Sequence, residues 1–96
     1  MKHIEWDEEK NQFLQAERGL SFEAVIIALE QGKLIDIVPN PSHRYTHQNV
    51  LVVEIDDYVV LVPFVEDAEK ILLKTAFKSR KLMKSYRRLS HKDETT

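Results

Sequence analysis

Apolar and polar side chains alternate over His3-Ile4-Glu5-Trp6, which predicts a short opening strand. Asp7 then stands where a helix N-cap is expected, with Glu8 and Glu9 in the first turn opposing the positive end of the helix dipole. Phe13, Leu14 and Ala16 supply a narrow apolar side to that helix, and Gly19 its stop. A second helix is better signalled. Ser21 is its N-cap, Leu20 and Val25 have the spacing of a hydrophobic staple, and Phe22, Val25, Ile26 and Leu29 recur at helical intervals up to Gly32.

The segment KLIDIV reads as a strand closed by Pro39 and Pro41, which cannot donate to a ladder. A loop, SHRYTHQN, follows. The β-branched runs NVLVVEI and YVVLVPFV are separated by Asp56-Asp57, the two-residue spacing of a tight hairpin, although the pair lacks the usual Gly and leaves the turn type open. Their nearly continuous apolar character predicts strands covered on both faces, and Pro63 predicts a bulge or an edge position. After a turn at Glu66-Asp67-Ala68, KILLKTAF is expected to add a third antiparallel strand.

From Ser79 as N-cap, Leu82, Met83, Tyr86 and Leu89 form one apolar stripe of a last helix, while Lys81, Lys84 and Arg88 lie on another side. The expected architecture is therefore α+β: an N-terminal strand, two helices, a small antiparallel sheet and a basic C-terminal helix. A single domain is expected over residues 1–89, with 90–96 as a polar, flexible tail.

Composition narrows the class. Ninety-six residues, 43% hydrophobic and 31% charged, suit one core that hides roughly 60 to 65% of the unfolded surface. The absence of cysteine excludes disulfides and thiolate metal sites and suits a reducing, cytoplasmic setting. No apolar stretch reaches the length of a membrane span, and no export signal is recognisable, so no membrane partner is expected.

Charge changes the picture more. The net charge of -2 hides a split: residues 1–68 hold 5 Lys/Arg against 13 Asp/Glu, a balance of -8, whereas residues 69–96 hold 9 against 3, a balance of +6. Between Lys70 and Lys92 no acid interrupts the cations. Such a ridge can neutralise phosphates, releasing counterions as it does so. An ordinary solvated helix face carries the same residue types. The separation from every acid, and Tyr86 within the cluster as a ring able to stack on a base, bring a nucleic-acid surface level with that reading, although Tyr86 also lies on the apolar stripe, where a core role is the first expectation for its ring. Candidate RNA contacts are Lys81, Lys84, Arg87 and Arg88 on the helix and His43, Arg44, Tyr45 and His47 in the proline-bounded loop.

The remaining chemistry is sparse. His43 and His47 are four apart, but in a loop without a nearby carboxylate, so no metal site is expected. His3 and His91 lie near the termini. No serine sits in a nucleophile motif, and the only glycines, Gly19 and Gly32, read as helix ends rather than a phosphate cradle. No cofactor is expected. The kit of Lys, Arg, Tyr, His and Glu fits RNA cleavage by the substrate's own 2′-hydroxyl, in which a base takes the hydroxyl proton, cations stabilise the phosphorane and an acid protonates the leaving oxygen. The same surface equally fits a non-catalytic interaction module whose cationic helix binds an acidic protein or nucleic acid.

The order of motifs resembles the BrnT-type toxins of bacterial toxin-antitoxin systems. The opening matches in Trp6, Asp7, Lys10, Asn11, Arg18, Gly19, Ser21, Phe22 and Glu23, and the end matches in KTAFKSRKLMKSY through Arg80 and Tyr86. The likeness spans about residues 4 to 88, its middle matching only as a hairpin pattern. It departs from the family's pattern at Thr75-Ala76-Phe77-Lys78-Ser79, where an Ile-Ser-Ala run before the Arg is usual, and at Arg18, where a His usually precedes the Gly.

The resemblance implies a RelE-like fold and a metal-independent endoribonuclease that arrests translation. It also implies a cognate antitoxin encoded beside it, with a ribbon-helix-helix protein among the candidates, and assembly as a homodimer or a toxin-antitoxin hetero-oligomer. Lys74, Lys78, Arg80 and Tyr86 would be its catalytic residues, and Lys84 and Arg88 would hold phosphate.

Overall fold

The structure is a computed structural model that describes residues 2–42, 44 and 47–85. The chain runs β1 (His3–Trp6), α1 (Glu8–Arg18), α2 (Phe22–Glu30), β2 (Leu34–Pro39), β3 (Asn49–Ile55), β4 (Tyr58–Glu66), β5 (Lys70–Leu73) and β6 (Phe77–Lys78), and helical backbone follows over 80–85. The class is α+β, with one mixed sheet and three helices among the described residues.

The local signals act as their chemistry predicts. The Asp7 carboxylate accepts the Glu9 N–H at 2.9 Å, and the Ser21 hydroxyl accepts that of Ala24 at 3.1 Å. Gly19 takes the left-handed conformation, φ 64°, that lets the chain leave α1, and the Leu20 N–H returns to the Leu14 carbonyl. Asp56 and Asp57 both have positive φ, 52° and 62°, so the hairpin turn is of the type I′ kind that suits the strand twist. At the next turn the Asp67 carboxylate accepts the N–H groups of Glu69 and Lys70, which hold its pKa below the usual carboxylate range.

The sheet order is β1-β5-β4-β3-β2, with β6 also pairing β4. Here the fold departs from the expected antiparallel sheet, because β1 runs parallel to β5, pairing His3 with Lys70 and Trp6 with Leu73. The connection between them spans both helices and three strands, long enough for a parallel return. The expected third strand is also broken in two. Phe64 pairs Leu73 and Leu61 pairs Phe77, so two residues of β4 face three, Lys74 to Ala76, which is a bulge. Pro63 therefore sits in a central strand but opposite that bulge. Its carbonyl accepts the Lys74 N–H at 2.8 Å, which places its missing donor on the side where pairing is interrupted.

β3 and β4 bury both faces, as their apolar runs predict. On one face Leu51, Val53, Val60 and Val62 pack beneath α1 and α2 through Leu14, Phe22 and Val25. On the other, Val52 and Val59 pack against Met83, with Leu82 at the margin, so the third helix covers the face opposite the first two. Phe13 and Ala16 do not join the core. Phe13 is 44% exposed, with the Lys10 and Arg18 cations 4.9 and 5.6 Å from its ring centre, because the narrow stripe of α1 turns only Asn11 and Leu14 fully inward.

β2 is an edge strand with Leu34, Ile35 and Ile37 exposed. Asn40 N–H bonds the Gln48 carbonyl, so alternation turns the backbone of Val38 and Asp36 toward β3 and that of Ile37 and Pro39 outward. The Ile37 N–H is taken by the Asp36 carboxylate at 2.8 Å, and Pro39 has none. No helix among the described residues is long and apolar enough to cross a membrane.

Candidate nucleic-acid interface

The bulge between β5 and β6 is the centre of the site. It projects Lys74 and Thr75 toward a groove of about 590 Å³ floored by Val50, Leu61 and Pro63. Lys10 of α1, Phe77 of β6, and Asn40, Pro41 and Gln48 from the base of the 40–48 loop complete the walls. Phe77 pairs Leu61 across the sheet and remains 38% exposed.

Arg18 holds the bulge in place from behind. Its Nη1 donates to the Ala76 carbonyl at 2.8 Å and to the Thr75 hydroxyl at 3.2 Å. The residue before Gly19, a difference from the pattern of the resembled family, thus ties α1 to the strand break. It adds a third cation beside Lys10 and Lys74.

The helix cations reach the same face. Ser79 anchors the helix start, its N–H donating to the Val59 carbonyl at 3.0 Å and its hydroxyl accepting the Leu82 N–H at 3.2 Å. With Met83 buried and Leu82 half-buried against the sheet, helical geometry directs Arg80, Lys81 and Lys84 away from it, and all three are exposed. Leu61 both lines the groove and packs against the cluster that receives this helix, so groove and helix adjoin on one face. Lys78 lies on β6 with its ammonium 5.4 Å from the Tyr58 ring centre.

Among the described residues none of these cations is spent on a carboxylate. The ion pairs among the described residues are Lys2 with Glu66, Lys33 with Glu54, and His3 with Glu5 when that histidine is protonated. Lys10, Arg18, Lys74, Lys78, Arg80, Lys81 and Lys84 have no acidic partner within 4.0 Å among the described residues.

The structure brings together part of the predicted site. Lys74 lines the groove and Arg80, Lys81 and Lys84 are exposed on the adjoining helix, whereas Lys78, which pairs with Val60 and alternates with groove-lining Phe77, lies on β6 outside the groove lining. Arg44 and His47 are exposed on the loop whose base forms a groove wall, but neither lines the groove. Tyr86, Arg87, Arg88, His43 and Tyr45 lie outside the described residues. Sequence reasoning missed Lys10, Asn40, Gln48 and Phe77 as candidates. Phe77, an aromatic next to Lys78 in a broken strand, carried a usable signal; the two amides carried none, because only the closing of the loop brings them together.

No protein-family model matches the chain, and neither a curated protein nor a solved structure matches it.

Proposed function

We propose that this protein is an RNA-cleaving toxin of a type II toxin-antitoxin system, RelE-like in fold and related to the BrnT type. In this proposal it acts in the cytoplasm and is held in check by an antitoxin protein. The observation that carries the proposal is a set of exposed cations with no carboxylate partner among the described residues: Lys74 in the groove, Arg80, Lys81 and Lys84 on the adjoining helix, and Lys78 on β6, with Lys10 and the part-exposed Phe77 also in the groove lining. A cationic surface left unpaired in a chain that is acidic elsewhere suits a polyanionic substrate.

In the proposed reaction the 2′-oxygen of one nucleotide attacks its own 3′-phosphate after losing its proton to a base. The Lys74 ammonium and the Arg80 guanidinium stabilise the charge on the phosphorane. The bond to the departing 5′-oxygen breaks as that oxygen is protonated, leaving a cyclic phosphate and a 5′-hydroxyl. Holding the phosphate in line supplies much of the acceleration, and fixed cations do this without a metal.

The test is incubation of the purified chain with RNA in EDTA. Cleavage is expected, and Lys74→Ala or Arg80→Ala should slow it about a hundredfold each. Intact RNA under all conditions, with expression harmless to growth, overturns the proposal.

A second reading, a non-catalytic interaction module, is favoured by an apolar groove between β2 and the third helix, where Ile35, Val38 and Leu82 flank Val52 and Val59. It predicts tight, salt-sensitive association with a partner protein and RNA left whole.

A further inference from the structure

The groove beside the bulge contains more than phosphate-binding charge. The Ser42 N–H donates to Asn40 Oδ1 at 3.0 Å. A backbone donor cannot reverse its role, so the orientation of the Asn40 amide is set. Its Nδ2 must then donate, and it does so to Gln48 Oε1 at 3.3 Å. That bond in turn fixes Gln48, whose Nε2 keeps its two hydrogens for something else, with no partner among the described residues. The two backbones are joined as well, Asn40 N–H to the Gln48 carbonyl at 3.1 Å, so the pair is a braced wall rather than a mobile rim.

The same groove is walled by the exposed ring of Phe77 and by Lys10 and Lys74. An aromatic face, an oriented amide donor and two ammonium groups are the three contacts that a single unpaired nucleotide uses. Its base stacks, its edge accepts a hydrogen bond, and its phosphate is neutralised. A duplex cannot present a base face in this way, since both faces are already stacked.

We infer that the groove is a nucleotide pocket for one unpaired base of single-stranded RNA, stacked on Phe77, with an edge acceptor on Gln48 Nε2 and the adjoining phosphate between Lys10 and Lys74. The inference rests on the RNA reading of the adjoining cations and adds the substrate class: single-stranded, and bound through a base as well as through phosphate. Lys10 and Lys74 contribute affinity without regard to sequence, whereas Phe77 and Gln48 require a base.

The experiment compares binding of a short oligouridylate with binding of an abasic ribose-phosphate strand of equal length, by fluorescence anisotropy in EDTA with the whole chain. The unaltered protein should bind the base-containing strand about tenfold or more tightly than the abasic one. Phe77→Leu, which keeps an apolar side chain against Leu61, should abolish most of that preference while leaving the abasic strand's affinity unchanged, and Phe77→Trp should retain the preference. Lys10→Ala and Lys74→Ala should weaken both strands alike and flatten the salt dependence. Equal affinity for the two strands, or a preference that survives in Phe77→Leu, overturns the pocket while leaving the RNA surface standing. Failure of the protein to bind either strand at low salt overturns both.

Discussion

Asn11 is the residue whose role is least visible in its local sequence. It is fully buried near the start of α1, and its side-chain oxygen accepts the Phe22 N–H at 2.8 Å, one of the donors that the first turn of α2 leaves without an intrahelical partner. Its amide hydrogens go to Glu23 at 2.7 Å and Glu8 at 3.3 Å. Asn11 thus joins the starts of both helices. Asn11→Ala is expected to strand the Phe22 N–H at a cost of about 2 kcal/mol, lowering Tm by about 10 °C in a calorimetric scan. Asn11→Asp keeps the acceptor but sets a third carboxylate beside Glu8 and Glu23, which raises its folded pKa. Its deficit against the native chain should therefore be largest at neutral pH and shrink as pH falls through the carboxylate range. A deficit independent of pH would show that the Glu contacts contribute nothing.

Among the elements, β2 combines exposed Leu34, Ile35 and Ile37 with an edge position, a pairing that invites another strand. Two of the outward positions offer no donor, the Ile37 N–H being taken by Asp36 and Pro39 having none. Asp36→Ala frees the Ile37 N–H and should produce concentration-dependent self-association in light scattering, while Asp36→Asn, which keeps an oxygen for that N–H, should remain as dispersed as the native chain. Equal behaviour of the two variants would show that charge, not the capped donor, protects the edge. β5 and β6 show how one residue reshapes a strand. Pro63 in β4 and the extra residue opposite it divide a run that reads as a single strand, and the division turns Lys74 into the groove.

For the whole molecule, the charge split along the chain becomes a split in space only in part. The acidic residues Glu8, Glu9 and Glu23 sit on helices that cover one face of the sheet, while Arg80, Lys81 and Lys84 rise from the other. Lys10 and Arg18 cross this division, since Lys10 lines the groove and Arg18 holds its bulge. If the helix cations meet RNA phosphates, replacing Lys81 and Lys84 together by Ala should reduce the slope of log affinity against log salt by about 1.4, near 0.7 for each contact with a single strand. An unchanged slope would locate the phosphate contacts elsewhere.

Residue order alone determined the local features. Caps at Asp7, Ser21 and Ser79, the Gly19 exit, the Asp56-Asp57 hairpin and the double-sided burial of β3 and β4 are all legible, because each depends on neighbours within a few positions. The cationic run and its freedom from acids in sequence were legible for the same reason. Only the tertiary structure decided that β1 runs parallel to β5, that the third helix takes the face opposite α1 and α2, and that Lys10, Gln48, Lys74 and Phe77 share one groove. Those facts depend on contacts between segments tens of residues apart, where a four-residue strand or a lone amide carries no mark of its future neighbour.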